Sequence, residues 1–210
     1  MTGPSSADAV ATRPPRAVAS IAPRPRIFSR FRRSQSGATA VEFGFVAAPF
    51  LMLIAAIVET AMMLWTSQVL EESVSTTARS LLTGQSRTLY PGGNDAAGKA
   101  ANAEAFRNRV CAEASALVDC SKLKIDVRSY GSIASAKTGT AATNPIKGGA
   151  LDTSDFGYNA PAAEQIVVVR AVLEYSLFFT DWSSALANIG SGKRALVASA
   201  TFRTEPFAGT

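Results

Sequence analysis

Few side chains in this chain are able to do chemistry. Its 210 residues include no histidine. That removes Ser-His-Asp and Cys-His nucleophile arrangements. No G-x-S-x-G, H-E-x-x-H or phosphate-binding glycine loop is present. With two cysteines and no histidine, a zinc site lacks ligands. The sequence therefore predicts no catalysis, no metal, no cofactor and no small-molecule substrate. Two cysteines and two acids remain. Cys111 and Cys120 can bridge only if their Cα atoms approach within about 7 Å. Nine residues of continuous helix would hold them roughly 13.5 Å apart. A bridge thus needs the helix to end near Leu117–Asp119 and the chain to turn back; otherwise the pair are unlinked small apolar residues. The acids are Glu42 and Glu59, at the two ends of FGFVAAPFLMLIAAIV. A charge at the bilayer centre costs roughly 3 kcal/mol on insertion scales. An acid beside such a run calls for a partner, or else simply marks a membrane edge.

The element that must position these acids is a helix. A bilayer span needs about 20 mostly apolar residues, and residues 43–65 meet that with Glu59 inside. The pattern then continues beyond what a membrane needs. Val69, Leu70, Val74, Thr77, Ala78, Leu81 and Leu82 recur at helical spacing, with Glu71, Glu72, Ser73 and Arg79 on other faces. Gly84 is a natural C-cap. A helix over Ala38–Thr83 would be about 70 Å long at 1.5 Å per residue. Its first half is expected to span the membrane and its second half to form an amphipathic stem. Pro49 removes one backbone hydrogen bond and is expected to kink it.

Charge gives the orientation. The net charge is +5 and the pI about 9.5, but the excess is local. Arg13, Arg16, Arg24, Arg26, Arg30, Arg32 and Arg33 stand against Asp8 before residue 37, leaving 14 basic and 15 acidic residues for the rest. This Pro-, Ala-, Ser- and Arg-rich arm is read as disordered. A basic arm before an apolar run follows the positive-inside pattern: arm cytoplasmic, everything after about residue 66 extracytoplasmic. Nucleic acid is not the expected partner, because no aromatic stacking platform accompanies the arginines. The two cysteines then lie in a disulfide-permissive space.

Beyond the stem, residues 84–94 read as a connector and Asp95–Val118 as a second helix. Asn94 or Asp95 is its expected cap. Ala101, Ala105, Phe106, Val110, Ala114, Leu117 and Val118 form its apolar face. Leu123, Ile125 and Val127 alternate with Lys122, Lys124, Asp126 and Arg128 as in a half-buried strand. Ile166–Phe179 and Leu196–Phe202 are two further strands, expected to pair antiparallel through a long connection. Phe178, Phe179 and Trp182 are expected to pack at its tip as core aromatics. Residues 131–164 read as a long surface loop. The fold class is α+β: a long N-terminal helix, a second helix and a small antiparallel sheet.

The stretch SQSGATAVEFGF carries the most specific signal. Gly37, Ala38, Thr39, Ala40, Val41, Glu42, Phe43 and Pro49 follow one pattern: a small-residue run, an acidic–aromatic pair, and an apolar helix with an early proline. This resembles the processing site of type IV prepilins, and most of all the TadE/TadF-type pseudopilins (minor pilins) of the tight-adherence, or Flp pilus, system. Ile57-Val58-Glu59, Ala78-Arg79 and the closing LVASATFRTEPF resemble further family elements. The resemblance implies a pilin-like fold and cleavage between Gly37 and Ala38 by a prepilin peptidase. It also implies an assembly role for Glu42 and Phe43. The segments become a leader over 1–37, a membrane and stem helix over 38–84, and an outer domain over 85–210. A leader of 37 residues is longer than the resemblance implies, which leaves starts at Val10 or Val18 open. The implied partners are the peptidase, other pilins and pseudopilins, the Tad inner-membrane machinery and membrane lipid. The implied role is assembly of the pilus, and hence adhesion and biofilm formation, from the bacterial inner membrane. A signal-anchored extracytoplasmic enzyme or binding protein is the alternative, followed by an ordinary secretory signal. TadE and TadF types are not separated by these residues.

Overall fold

The computed structural model describes residues 35–114, 117–142, 144–179, 184–190 and 192–207. The basic arm, the two alternative starts and Trp182 lie outside them. The first element, α1, is a helix over Gln35–Leu82 with Pro49 inside it. Leucine, glutamate, methionine and alanine, all strong helix formers, supply 11 of the 24 residues from Glu59 to Leu82. It stops where glycine permits a left-handed turn. Gly84 has φ +75°, and the Thr83 N–H still reaches the Arg79 carbonyl at 3.1 Å. A side chain there would also collide with the Phe207 ring, 2.7 Å from the Cβ position.

Residues 50–210 form one compact unit, so the stem half of α1 belongs to the same body as the outer domain. The connector contains a single helical turn, α2 (Ser86–Leu89), and α3 follows over Ala96–Ala114. Asp95 caps α3, its carboxylate accepting from the Gly98 N–H at 3.3 Å. The buried stripe of α3 is Asn102, Phe106, Val110 and Ala114, each four residues on. Ala101 is exposed, because the stripe follows Asn102 instead. Its amide accepts from the Gly92 N–H at 2.8 Å and donates to the Gly92 carbonyl at 3.0 Å. A buried amide satisfied in this way loses little by burial. The described part of α3 ends at Ala114, and Val118 lies outside the helix. The chain turns back through a 3-10 turn, Cys120–Lys122, and a disulfide joins Cys111 to Cys120 with Cα atoms 5.9 Å apart.

Strand β1 covers Leu123–Tyr130. The stretch expected to be a loop then holds a helix, α4 (Ile133–Ala142), and a small hairpin of β2 (Ile146–Lys147) and β3 (Ala150–Leu151). Both have local causes. Ser132 Oγ accepts from the Ser135 N–H at 3.2 Å and caps α4. Gly148 and Gly149, at φ +57° and +76°, make the two-residue turn that a tight hairpin requires. Strands β4 (Ile166–Ser176) and β5 (Lys193–Arg203) complete an antiparallel sheet in the order β1-β4-β5.

One face of this sheet presents Leu123, Ile125, Val127, Val167, Val169, Ala171, Leu173, Leu196 and Ala198. They share a core with Met63, Leu70, Val74, Ala78 and Leu81 of α1 and with Phe106, Val110 and Ala114 of α3. The other face was expected to meet water on β1. Instead Asp126 is 1% exposed. It pairs with Arg170 across the ladder at 2.5 Å and with Arg128 at 3.0 Å, and accepts from the Gly157 N–H at 3.1 Å. Arg170 donates to the Thr140 carbonyl of α4 and stacks over Phe156. Residues 131–164 cover this face, which a strand's own alternation does not reveal.

Candidate membrane and assembly interface

The first half of α1 is apolar and bare. The window that passes as a membrane span has a mean hydropathy of 2.3 and no buried residue. The uncharged run from Phe43 to Val58 is about 24 Å long at roughly 1.5 Å per residue, near the hydrocarbon thickness of about 30 Å. Val41, Phe43, Phe45 and Val46 are exposed, and so are Phe50, Leu51, Met52, Leu53, Ile54, Ile57 and Val58. Soluble monomers rarely expose apolar surface on this scale, which marks contact with a membrane or with other chains. One long apolar N-terminal helix of this kind fits a single-pass membrane anchor.

Glu42 and Phe43 are exposed at the start of this run, and Pro49 lies within it. Gly37 and Ala38 lie inside the first turn of α1, with helical backbone. Small residues followed by alanine and valine contain nothing that stops a helix before Pro49.

Glu59 sits at the opposite end of the run, and its surroundings are specific. It is 2% exposed. Its Oε1 accepts from the Phe178 N–H at 2.6 Å and from the Phe179 N–H at 3.4 Å. The acid that the sequence left in search of a partner thus binds the backbone of the chain leaving β4. Its charge also faces Tyr175. That phenol's pKa is raised, first by burial and then by the nearby carboxylate. The partner is about 120 residues away in the chain. Nothing near Glu59 signals it.

From Glu59 onward α1 buries one face. Glu59, Met63, Thr66, Leu70, Ser73, Val74, Thr77, Ala78 and Leu81 are all buried. Their spacing of three and four residues makes a single stripe. Ser73, expected on another face, lies in the stripe because its hydroxyl donates to the Val69 carbonyl at 2.6 Å and so needs no water. Leu64 and Trp65 face outward and remain exposed. Phe178 and Phe179 are not core aromatics: they are 72% and 42% exposed at the end of β4. Among the described residues, no group of three or more acids and cysteines could hold a metal ion.

The comparisons with known proteins bear on this helix. Residues 37–79 match the family model described as TadE-like protein. No curated protein and no solved structure shows significant similarity to the chain. The match begins at the glycine of the small-residue run and covers the bare apolar half. It then continues through Ala78 in the buried stripe, so it describes span and stem together. The TadE-like family is a pilus-associated structural family and not an enzyme family. The similarity over residues 37–79 is consistent with a TadE-like protein of the Tad pilus system.

Proposed function

We propose that this protein is a minor pilin or pseudopilin of a Flp/Tad-type pilus, required for the pilus to assemble and thereby for surface adhesion and biofilm formation. The observation that carries this is the construction of α1. A bare apolar half suited to lipid or to other helices runs into a half welded to a folded domain, and both halves lie within the TadE-like match. A simple anchor needs only the first half.

In this reading the arginine arm holds the N-terminus in the cytoplasm and the outer domain is extracytoplasmic. A prepilin peptidase hydrolyses the Gly37–Ala38 bond. Water adds across it, leaving a carboxylate on Gly37 and an ammonium on Ala38. Both residues lie within the first turn of α1, so that turn opens for cleavage; small side chains lower the barrier to close backbone approach. The new ammonium is one helical turn from Glu42. The carboxylate neutralises it, or that of a neighbouring subunit, when helices pack side by side. Partners are other pilins and the Tad inner-membrane machinery, met laterally by α1 and outside the membrane by the domain. The test replaces the chromosomal copy with Glu42→Gln. Loss of surface pili at normal protein level is expected; normal pili would refute the role of Glu42.

A further inference from the structure

The end of β4 carries two exposed phenylalanines in an unusual place. Phe178 and Phe179 follow the last paired residue of the strand, Ser176, with Leu177 buried between. Chain leaving a strand is normally polar, and large apolar side chains there need a reason. Their backbone is fixed by the Glu59 carboxylate. Glu59 immediately follows the exposed apolar stretch Phe50–Val58. The two phenylalanines are therefore held beside the point where the exposed apolar surface of α1 ends. Leu64 and Trp65, one to two turns further along α1, are exposed as well. Exposed large apolar side chains thus come from both partners of the clamp: Leu64 and Trp65 on α1, and Phe178 and Phe179 after β4.

We propose that Phe178 and Phe179 form a foot by which the outer domain stands in the headgroup layer of the membrane that α1 spans. Aromatic and apolar side chains at that depth are a recurrent feature of membrane-anchored chains. The occupant is lipid because the foot is continuous with the lipid-facing surface of α1 and clamped to it through Glu59. Charge at this end of the sheet is mixed. Lys122 lies 3.3 Å from Ser176 and 3.6 Å from Asp119, and Lys193 pairs with Glu174 at 2.7 Å. The apolar pair, not a basic patch, is thus the contact. The foot gives the domain a fixed tilt on the bilayer, since it is a second attachment beside the helix. The inference rests on α1 being a membrane span and is independent of the pilus reading.

Nitroxide accessibility on the full chain tests it, with the protein in vesicles of phosphatidylethanolamine and phosphatidylglycerol at 3:1. Three labels are compared, each on one added cysteine with the Cys111–Cys120 bridge left intact: Phe178→Cys at the foot, Val58→Cys on the span, and Ile133→Cys as control. Ile133 is 75% exposed but follows the end of β1 where Tyr130 pairs with Ile166. That end is ten residues of β4, about 33 Å at 3.3 Å per residue, from Ser176. The expected result at Phe178 is an oxygen-to-nickel-chelate collision ratio at least threefold that at Ile133 and nearer to Val58. Equal ratios at Phe178 and Ile133, with Val58 lipid-exposed, overturn the foot and leave the span intact. A water-exposed Val58 overturns both. Because the phenylalanines are solvent-facing in the folded domain, labelling is compatible with folding, which an unchanged melting temperature in detergent confirms.

Discussion

Replacing Glu59 with alanine removes the acceptor for two backbone N–H groups, at 2.6 and 3.4 Å. A hydrogen bond to a charged group contributes roughly 1.5–3 kcal/mol net. The shorter bond is well formed and the longer one weak, so the pair together are taken at about 2–3 kcal/mol. The carboxylate's own burial works against this, because a desolvated charge is costly unless well bonded. The expected loss is therefore about 2 kcal/mol. In a unit of this size each kcal/mol moves the melting temperature by roughly 2–4 °C, which gives a drop of about 4–8 °C for the full chain in detergent. Hydrogen exchange localises the effect. The Phe178 amide should lose protection by about 30-fold, the factor that corresponds to about 2 kcal/mol, while amides in the middle of β4 change less. Glu59→Gln keeps a neutral carbonyl acceptor and should lose roughly half as much. If Glu59 instead serves only as a charge at the membrane edge, neither variant alters protection at Phe178. That outcome, with a melting temperature within about 1 °C of the parent, would refute the clamp.

Serine at both Cys111 and Cys120 opens a loop closed by a bond of sequence separation 9. It should cost about 2–3 kcal/mol, read as a lowered denaturation midpoint that matches the reduced parent. Replacing Asp126 with alanine removes the carboxylate that neutralises Arg170, which is buried against α4 and Phe156. A loss of about 3–5 kcal/mol is expected, seen by circular dichroism melting and larger than that for alanine at the exposed Glu104. Substituting Gly84 with alanine forces a side chain into the left-handed turn and against the Phe207 ring. About 1–3 kcal/mol is expected, and truncating Phe207 as well should recover part of it.

Much of this architecture is written in local pattern. The apolar run, the continuing stripe to Leu81, the glycine stop and the three strands depend on periodicity over neighbouring residues, and sequence shows periodicity directly. The small-residue run ending in Glu42-Phe43 carries the family resemblance within a few neighbouring residues. What stayed hidden depends on contacts far apart in the chain. Asp126 reads as the solvent side of a strand until residues 131–164 are folded over it. Glu59 reads as an orphan acid until β4 delivers two amides to it. Phe178 and Phe179 read as core because aromatic residues after a β-forming run are normally buried. Asn102 in the α3 stripe reads as a polar interruption until Gly92 is brought alongside. Two features within residues 131–164 are local in sequence: Ser132 three residues before Ser135 as a helix cap, and the Gly148-Gly149 pair between Ile146-Lys147 and Ala150-Leu151 as a hairpin turn.

A minor pilin of this kind must be processed as a prepilin. N-terminal sequencing of the protein extracted from membranes of its own host, or of a host carrying a prepilin peptidase, decides this most directly. A mature chain beginning at Ala38 is predicted, with accumulation of the longer form when the peptidase is deleted. A membrane protein that retains the arginine arm in the presence of active peptidase, or one that begins beyond about residue 60 after secretory cleavage, would contradict it.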